Sequence, residues 1–328
     1  MSAPIKDSDT GHWVNRAPIT LRPYLQLSRL DRPVGYWLLA LPGWIGLAFA
    51  SHSYGYSSND IKWALLILIG AIAMRGAGCT YNDIVDQDLD KQVARTALRP
   101  LPAGTVTTKQ AWIWLLAQCA VGLIVLLCLP RLAQIIALAS IPLVAAYPFM
   151  KRITWWPQLW LGLTFNWAVL VAYAAKTGEL STPILILYAG LIFWTVGYDT
   201  IYACQDIEDD MKIGVKSTAR LFGGNIKLAI SLCFILYIVL SATAYGLMVI
   251  ASANPGITDS FISRLSRAQM LKPILMAYGF LSLHFLWQVM RFDAKDGTRS
   301  LKLFKSNVWN AALHILLILA LFIIWRAN

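Results

Sequence analysis

Charged residues are scarce in this chain of 328 residues, since Asp, Glu, Lys and Arg together make up 14% of it. Its four histidines are scattered along the sequence, which argues against a histidine-ligated metal or a haem. Its five cysteines lie in or beside apolar runs without a metal-binding spacing, so we interpret them as buried apolar thiols. With 58% hydrophobic residues, this composition excludes a soluble fold.

Apolar runs of about 20 residues, the length that crosses the hydrocarbon core of a bilayer, recur along the chain. They lack the period-two alternation of a membrane barrel, so we predict an all-α membrane protein. Residues 1–33 are polar and are expected to form a cytoplasmic tail, followed by a single transmembrane domain at 34–328. The nine predicted transmembrane helices are 34–51, 61–80, 111–129, 132–149, 157–176, 182–203, 225–248, 271–290 and 307–326.

The basic residues predict the orientation of the chain in the membrane. With the N-terminus inside, most of the 28 Lys and Arg residues fall on the cytoplasmic side of the predicted helices. The positive-inside rule therefore predicts an N-in, C-out topology. Because the net charge of +11 follows from this distribution, we expect a lipid bilayer but no nucleic acid among the partners, and the sequence indicates no particular protein partner.

Nine of the 17 acidic residues lie in two short segments, which we call the first acidic stretch (residues 82–90) and the second acidic stretch (residues 199–210). Each lies at the end of an even-numbered predicted span, so both are expected to face the cytoplasm. Each also leads into a basic segment that contains a glycine. This weak internal repeat predicts two pseudo-repeated halves around a central cavity.

The spacing of the acidic residues predicts a metal site. Asn82, Asp86 and Asp90 are successive i, i+4 neighbours on a helix, and Asp206 and Asp210 repeat that spacing. Carboxylates about 4 Å apart repel by roughly 4 kcal/mol at an effective dielectric constant near 20, so a cation between them is expected. Oxygen donors without histidine or thiolate favour Mg²⁺. The candidate metal ligands are Asn82, Asp83, Asp86, Asp90, Asp206 and Asp210.

Basic residues close to both stretches predict that the metal is shared with a diphosphate, because arginine binds phosphate oxygens with two parallel donors. The plainer alternative is that the carboxylates are solvated charges paired with neighbouring lysines and arginines. Such surface pairs contribute only about 0–1 kcal/mol each, which does not account for two dense clusters. Asp199, inside the sixth predicted span, also favours a functional role, since a carboxylate within a span is costly.

Two motifs carry a resemblance to a known family. Asn-Asp-x-x-Asp-x-x-x-Asp at 82–90 and Tyr-Ala-x-x-Asp-x-x-x-Asp at 202–210 resemble the two Asp-rich signatures of the UbiA-type intramembrane prenyltransferases. Further segments at 29–35, 147–152 and 197–218 resemble the branch of that family that prenylates 4-hydroxybenzoate for ubiquinone biosynthesis. The resemblance runs from Arg29 to the last predicted helix.

The resemblance implies a nine-helix enzyme that uses Mg²⁺ to transfer a polyprenyl group from its diphosphate to the ring carbon ortho to the hydroxyl of 4-hydroxybenzoate. It implies one or two Mg²⁺ ions held by Asn82, Asp86, Asp90, Asp206 and Asp210, with Asp86 and Asp206 as catalytic residues. It also implies a set of substrate-binding residues, with Arg152 or Arg32 as the cation for the acceptor carboxylate: Arg32, Arg75, Arg95, Arg99, Tyr147, Lys151 and Arg152. We interpret Asp199 as the acceptor of the phenolic or ring proton.

Several alternatives stay open. Within the resemblance, the acceptor could be homogentisate, dihydroxynaphthoate or haem. A cation or phosphate transporter would also use acid-lined helix ends, but it predicts acidic residues near the middle of several spans, where only Asp199 comes close. A membrane phosphotransferase would carry a glycine- and arginine-containing acidic signature that this sequence lacks. The expected location is a bacterial inner membrane, or alternatively the mitochondrial inner membrane, with the active site facing the cytoplasm.

Overall fold

The computed structural model describes residues 11–92, 96–212, 214–251 and 261–327, and at 206, 209, 261–268 and 327 it describes the backbone alone. All regular secondary structure in these ranges is helical. Three short 3-10 helices lie at Trp13–Arg16, Cys204–Asp206 and Gly223–Asn225. The α-helices are α1 (Arg22–Leu27), α2 (Val34–Tyr54), α3 (Ser58–Val85), α4 (Gln87–Asp90), α5 (Thr108–Leu127), α6 (Arg131–Ala139), α7 (Ile141–Ile153), α8 (Pro157–Phe165), α9 (Trp167–Thr177), α10 (Thr182–Ala203), α11 (Ile207–Lys212), α12 (Thr218–Phe222), α13 (Ile226–Ala251), α14 (Phe261–Arg291) and α15 (Gly297–Ala327).

Nine helical segments within the described ranges are long and apolar enough to cross a membrane. The predicted all-α membrane class and the nine spans are therefore confirmed, whereas the N-in, C-out orientation and the two-halved repeat stay predictions. The segments are Val34–Tyr54, Ser58–Val85, Thr108–Leu127, Arg131–Ile153, Pro157–Thr177, Thr182–Ala203, Thr218–Ala251, Gln269–Arg291 and Gly297–Arg326.

Several spans extend beyond the apolar runs that predicted them, because helix caps rather than hydrophobicity decide where a helix begins and ends. The second span was predicted at 61–80, but α3 begins after Ser57, which forms a capping box with Asp60, and continues to Val85. The ninth was predicted at 307–326, but α15 begins ten residues earlier, at Gly297. These additional polar turns carry part of the site described below.

The helices α2 and α10 form the centre of the bundle, while α5 and the α6–α7 pair lie mostly at its outer surface. Helix α10 packs along α13, and α2 packs along α9 and α15. Among the largest fully buried side chains are Trp194 and Tyr198 of α10 and Tyr237 of α13. Because α10 is enclosed by protein, Asp199 near its end lies inside the bundle rather than in lipid.

Close approach between α2 and α9 depends on Gly46. A Cβ atom at this position would lie 2.5 Å from the Val169 carbonyl oxygen of α9, a distance that forces the two backbones apart. We expect Gly46→Ala to destabilise the protein by about 1–3 kcal/mol. The measurement is the melting temperature of purified protein in detergent.

The matched control for that substitution is Gly279→Ala in α14, where a Cβ atom meets nothing within 4 Å. Alanine costs less backbone entropy in a helix than glycine, so this variant should melt at or slightly above the wild-type temperature. A Gly46→Ala protein that melts no lower than Gly279→Ala would contradict the packing described for α2 and α9.

Candidate active site

The first acidic stretch lies where α3 ends and the short helix α4 begins. Asp86 occupies the junction with φ −98° and ψ 6°, outside the helical region. The i, i+4 backbone pattern nevertheless continues across it, since Asp86 N–H donates to the Asn82 carbonyl at 2.9 Å and Asp90 N–H donates to the Asp86 carbonyl at 2.8 Å. The predicted spacing of Asn82, Asp86 and Asp90 along one helical path is thus retained through a change of helix.

Asp83, on the last turn of α3, is fully buried and anchors two other segments. Arg29 Nη2 donates to its two carboxylate oxygens at 2.7 and 2.9 Å, and Arg99 Nη1 donates at 3.3 Å. Burial alone would lower the pKa of Arg29, but the charge of Asp83 holds that pKa above its ordinary value. Arg29 also has φ 54°, a left-handed conformation that is uncommon for a residue other than glycine.

Asp86 is also fully buried and is neutralised by the end of α7. Lys151 Nζ donates to one of its oxygens, and Arg152 Nη2 donates to the other at 2.8 Å. Asp90 accepts a hydrogen bond from Arg99 Nη1 at 2.8 Å. Burial raises the pKa of Asp90 above its ordinary value, and the charge of Arg99 acts in the opposite direction.

The second acidic stretch runs from the last turn of α10 through the 3-10 helix at Cys204–Asp206 into α11. The backbone of Asp210 accepts from Val215 N–H at 3.0 Å and from Arg220 Nη1 at 3.2 Å. Lys216 N–H then donates to the carbonyl of Lys151 at 2.9 Å. Because the Lys151 side chain contacts Asp86, this docking brings the segment after the second stretch to the end of α3.

A polar cavity of about 470 Å³ joins the two stretches. Asn82 and Asp83 contribute from the first and Asp199 and Tyr202 from the second. The two acidic regions therefore contribute residues to one cavity at the same end of the bundle. Its lining is Arg29, Asp31, Arg32, Pro33, Val34, Gly35, Leu38, Arg75, Cys79, Asn82, Asp83, Arg99, Tyr147, Leu161, Phe165, Tyr198, Asp199, Tyr202, Leu301, Phe304 and Lys305.

A second cavity, of about 230 Å³ and almost wholly apolar, adjoins the first. Its lining comes from α2, α3 and α5 to α9. The two cavities share Arg75, Tyr147, Leu161 and Phe165. The guanidinium carbon of Arg75 lies 5.1 Å from the centre of the Phe165 ring, a cation–π arrangement at the boundary between the polar and the apolar space.

Most of the substrate-binding and metal-binding residues predicted from the sequence meet at this place. Those that line the polar cavity are Asn82, Asp83, Arg32, Arg75, Arg99, Tyr147 and Asp199. The adjacent ion-pair cluster consists of Asp86, Asp90, Lys151 and Arg152. Arg95 lies outside the described residues, as do the side chain of Asp206 and that of Asp209. The assignment of metal ligands, Asp83 included, stays a prediction.

Two basic residues at the site were not among those predicted. Arg29 lies within a segment that carried the resemblance, and the adjacent Asp31-Arg32-Pro33 signalled a polar turn there. Lys305 lines the cavity from α15. No motif distinguishes Lys305 in the sequence, because it was predicted to lie in one of the basic cytoplasmic loops.

A family model described as the UbiA prenyltransferase family matches residues 39–311. The chain belongs to this family. The sequence resemblance is thus confirmed at the level of the family. A member from Homo sapiens, "4-hydroxybenzoate polyprenyltransferase, mitochondrial", is 49% identical over 219 residues, which cover 65% of this chain and 57% of the human protein. A protein of the same name from Arabidopsis thaliana is 38% identical over 303 residues, covering 92% of this chain and 69% of the plant protein.

A solved structure of a UbiA homolog from Archaeoglobus fulgidus, bound to GPP and Mg²⁺, has the same fold. It is 18% identical, with a TM-score of 0.59, and the superposition covers 92% of this chain and 99% of that one. Because the identity is only 18%, the similarity establishes that the two proteins share a helical fold.

The buried ion pair between Arg29 and Asp83 should be essential for stability. Asp83→Asn leaves the Arg29 charge without its partner, and breaking a buried pair in this way costs about 3–5 kcal/mol. We expect a large fall in the melting temperature in detergent, measured without Mg²⁺. The control is Asp88→Asn, because the Asp88 side chain is 93% exposed and its removal should leave the melting temperature unchanged.

If Asp83→Asn melts like the wild type without Mg²⁺ and loses only a Mg²⁺-dependent increase in stability, the anchoring role is wrong. That outcome would favour the prediction that Asp83 is a metal ligand.

Proposed function

We propose that the protein transfers a polyprenyl group from a polyprenyl diphosphate to a ring carbon of an aromatic acid, with 4-hydroxybenzoate as the main acceptor, in ubiquinone biosynthesis. The observation that carries the proposal is the polar cavity with its acids and arginines, joined at Arg75 to an apolar cavity. This pair of spaces suits a substrate with a charged head and a hydrocarbon chain. The names of the human and plant relatives support the choice of acceptor.

The donor set of the two acidic stretches fits Mg²⁺. Among the described residues no three His, Cys, Asp or Glu side chains stand together as a metal cluster. Mg²⁺ does not require one, because it takes one or two protein carboxylates and completes its coordination with water and phosphate oxygens. The residues that would hold Mg²⁺ are Asn82, Asp86, Asp90, Asp206 and Asp210. When bound, Mg²⁺ would supply positive charge beside the diphosphate.

The cations of the site would bind the diphosphate. The carboxylates of the first acidic stretch already form ion pairs with Arg99, Lys151 and Arg152. These cations would donate to phosphate oxygens, as would Arg95, which lies outside the described residues. As the allylic C–O bond breaks, negative charge accumulates on the departing diphosphate, and fixed cations that stabilise it lower the barrier.

The electrophile and the acceptor would meet at the boundary of the two cavities. The isoprenoid chain would lie in the apolar cavity and continue towards lipid. The ring carbon ortho to the phenol oxygen would attack the allylic carbon, and Asp199, which lines the polar cavity, would accept the phenolic or ring proton. The ring of Phe165 and the hydrocarbon around it would exclude water from the cation that forms.

The protein is an integral membrane protein by its apolar helices. We propose an inner-membrane location with the active site on the side that carries most of the lysines and arginines. The relatives that match are named as mitochondrial proteins, which supports the mitochondrial alternative over the bacterial one.

The decisive experiment is an assay with purified protein, Mg²⁺, a radiolabelled polyprenyl diphosphate and a panel of aromatic acids. We expect prenylated 4-hydroxybenzoate as the main product and no turnover in EDTA. Asp86→Asn and Asp206→Asn should each lower the rate by about 100-fold or more, since each removes a carboxylate that would hold Mg²⁺ and so weakens the positive charge that stabilises the leaving group. Asp88→Asn is the control within the same stretch and should keep the wild-type rate, because its side chain faces solvent.

Other outcomes would refute the proposal in distinct ways. Preferred prenylation of homogentisate or dihydroxynaphthoate would leave the chemistry standing but replace the acceptor. Ion or phosphate flux in proteoliposomes, without any prenylated product, would favour a transporter. Normal rates in Asp86→Asn and Asp206→Asn would show that the acidic stretches do not carry the reaction.

A further inference from the structure

One wall of the polar cavity is formed by the first turns of α15, a part of the chain that the sequence predicted as a loop. Leu301, Phe304 and Lys305 line the cavity from this helix. Their i, i+3 and i, i+4 spacing places them on a single helical face. The wall is therefore a helical surface rather than a loop, and Lys305 is carried on that helix.

Among the described residues, Lys305 and Arg75 are the basic residues of the cavity without an ion pair, and Arg75 lies over the Phe165 ring at the boundary with the apolar cavity. Arg29 and Arg99 contact Asp83, and Arg32 lies 3.4 Å from Asp31. In the part of the chain that the structure describes, Lys305 makes no hydrogen bond or ion pair, and it is an exposed residue that lines the cavity. An ammonium in that position is available for an anion that enters the cavity.

Aromatic rings lie beside Lys305. The Phe304 ring is 4.6 Å from the ring of Tyr202 and 5.7 Å from that of Tyr198, measured between centroids. All three line the same cavity, together with Asp199. Aromatic side chains at these separations offer faces and edges to a further ring, so the wall suits a small aromatic molecule that also carries a negative charge.

The apolar chain of the donor substrate has its own place, away from α15. The residues that line the apolar cavity belong to α2, α3 and α5 to α9 and to the turns between them. The cations around Asp86 come from α7, and Arg99 lies beyond α4. A polyprenyl diphosphate with its chain in the apolar cavity would thus have its head near α3, α7 and Asp206, whose 3-10 helix packs against α15. The cavity wall formed by α10 and α15 lies beside that position and is open to the second substrate.

We propose that Lys305 binds the carboxylate of the aromatic acid acceptor, whose ring lies against Phe304 and Tyr202. This inference rests on the proposed function. In a para-hydroxy acid the carboxylate and the hydroxyl point in opposite directions, so the carboxylate needs a cation apart from the group that receives the proton. Lys305 meets this requirement better than Arg152, which contacts Asp86 and Val85, or Arg32, which lies against Asp31.

The test compares Lys305→Ala with the wild type in steady-state assays. Removing one charge-assisted contact should raise the KM for 4-hydroxybenzoate by about tenfold, with the KM for the polyprenyl diphosphate unchanged. The neutral analogue 4-hydroxybenzamide should bind the wild type more weakly than the acid, and this difference should vanish in Lys305→Ala. Lys305→Arg should restore most of the preference for the acid, because the positive charge is retained.

The matched control is Lys302→Ala, a lysine of the same helix that is exposed but does not line the cavity. It should leave both KM values unchanged. A rise in the KM for the polyprenyl diphosphate in Lys305→Ala would overturn the assignment in favour of diphosphate binding. An unchanged KM for the acid, or an equal rise for the acid and the amide, would also overturn it.

These outcomes separate the assignment from the proposed function. A wild-type protein that prenylates no aromatic acid refutes the proposed function and the role of Lys305 with it. An active wild type in which Lys305→Ala keeps the full preference for the acid refutes the role of Lys305 alone.

Discussion

The site depends on the neutralisation of buried carboxylates at the end of α3. Asp83 and Asp86 are fully buried, and an unpaired charge in such a place would cost several kcal/mol. Their cationic partners come from three separate parts of the chain: Arg29 before the first span, Arg99 after α4, and Lys151 and Arg152 at the end of α7. These contacts hold together the chain segments that surround the polar cavity. The charges that would bind a diphosphate therefore also stabilise the local fold.

The two cavities divide the site by polarity. Helix ends and polar turns surround the larger one, while the smaller one is lined by the apolar faces of α2, α3 and α5 to α9. Arg75 stands at the boundary with its guanidinium over Phe165. Gly35 leaves room for it, since a Cβ atom there would lie 2.8 Å from Arg75 Nε. Arg75 is thus a charged residue within a membrane span. It lies where the reacting carbon of a prenyl substrate would pass from the apolar cavity to the polar one.

The sequence predicted the features that are local in origin. Apolar runs predicted nine spans, and the spacing of Asn82, Asp86 and Asp90 predicted their helical path. Contacts between distant segments could not be predicted in this way. The pairing of Arg29 with Asp83 joins residues 54 positions apart and depends on how the bundle packs. Lys305 was missed because hydropathy alone did not extend the last helix to Gly297, where the Asp296 side chain caps the first turn by accepting from Arg299 N–H at 2.9 Å.

A structure of the protein with Mg²⁺ and a non-hydrolysable thio analogue of geranyl diphosphate would show whether the two acidic stretches share one metal–diphosphate site. We expect Asp86 and Asp206 at one metal–diphosphate cluster, with Lys151 and Arg152 moved from Asp86 to phosphate oxygens and the isoprenoid in the apolar cavity beyond Arg75. A structure in which Asp86 keeps both cations, while the diphosphate and its metal bind away from the two acidic stretches, would contradict this expectation.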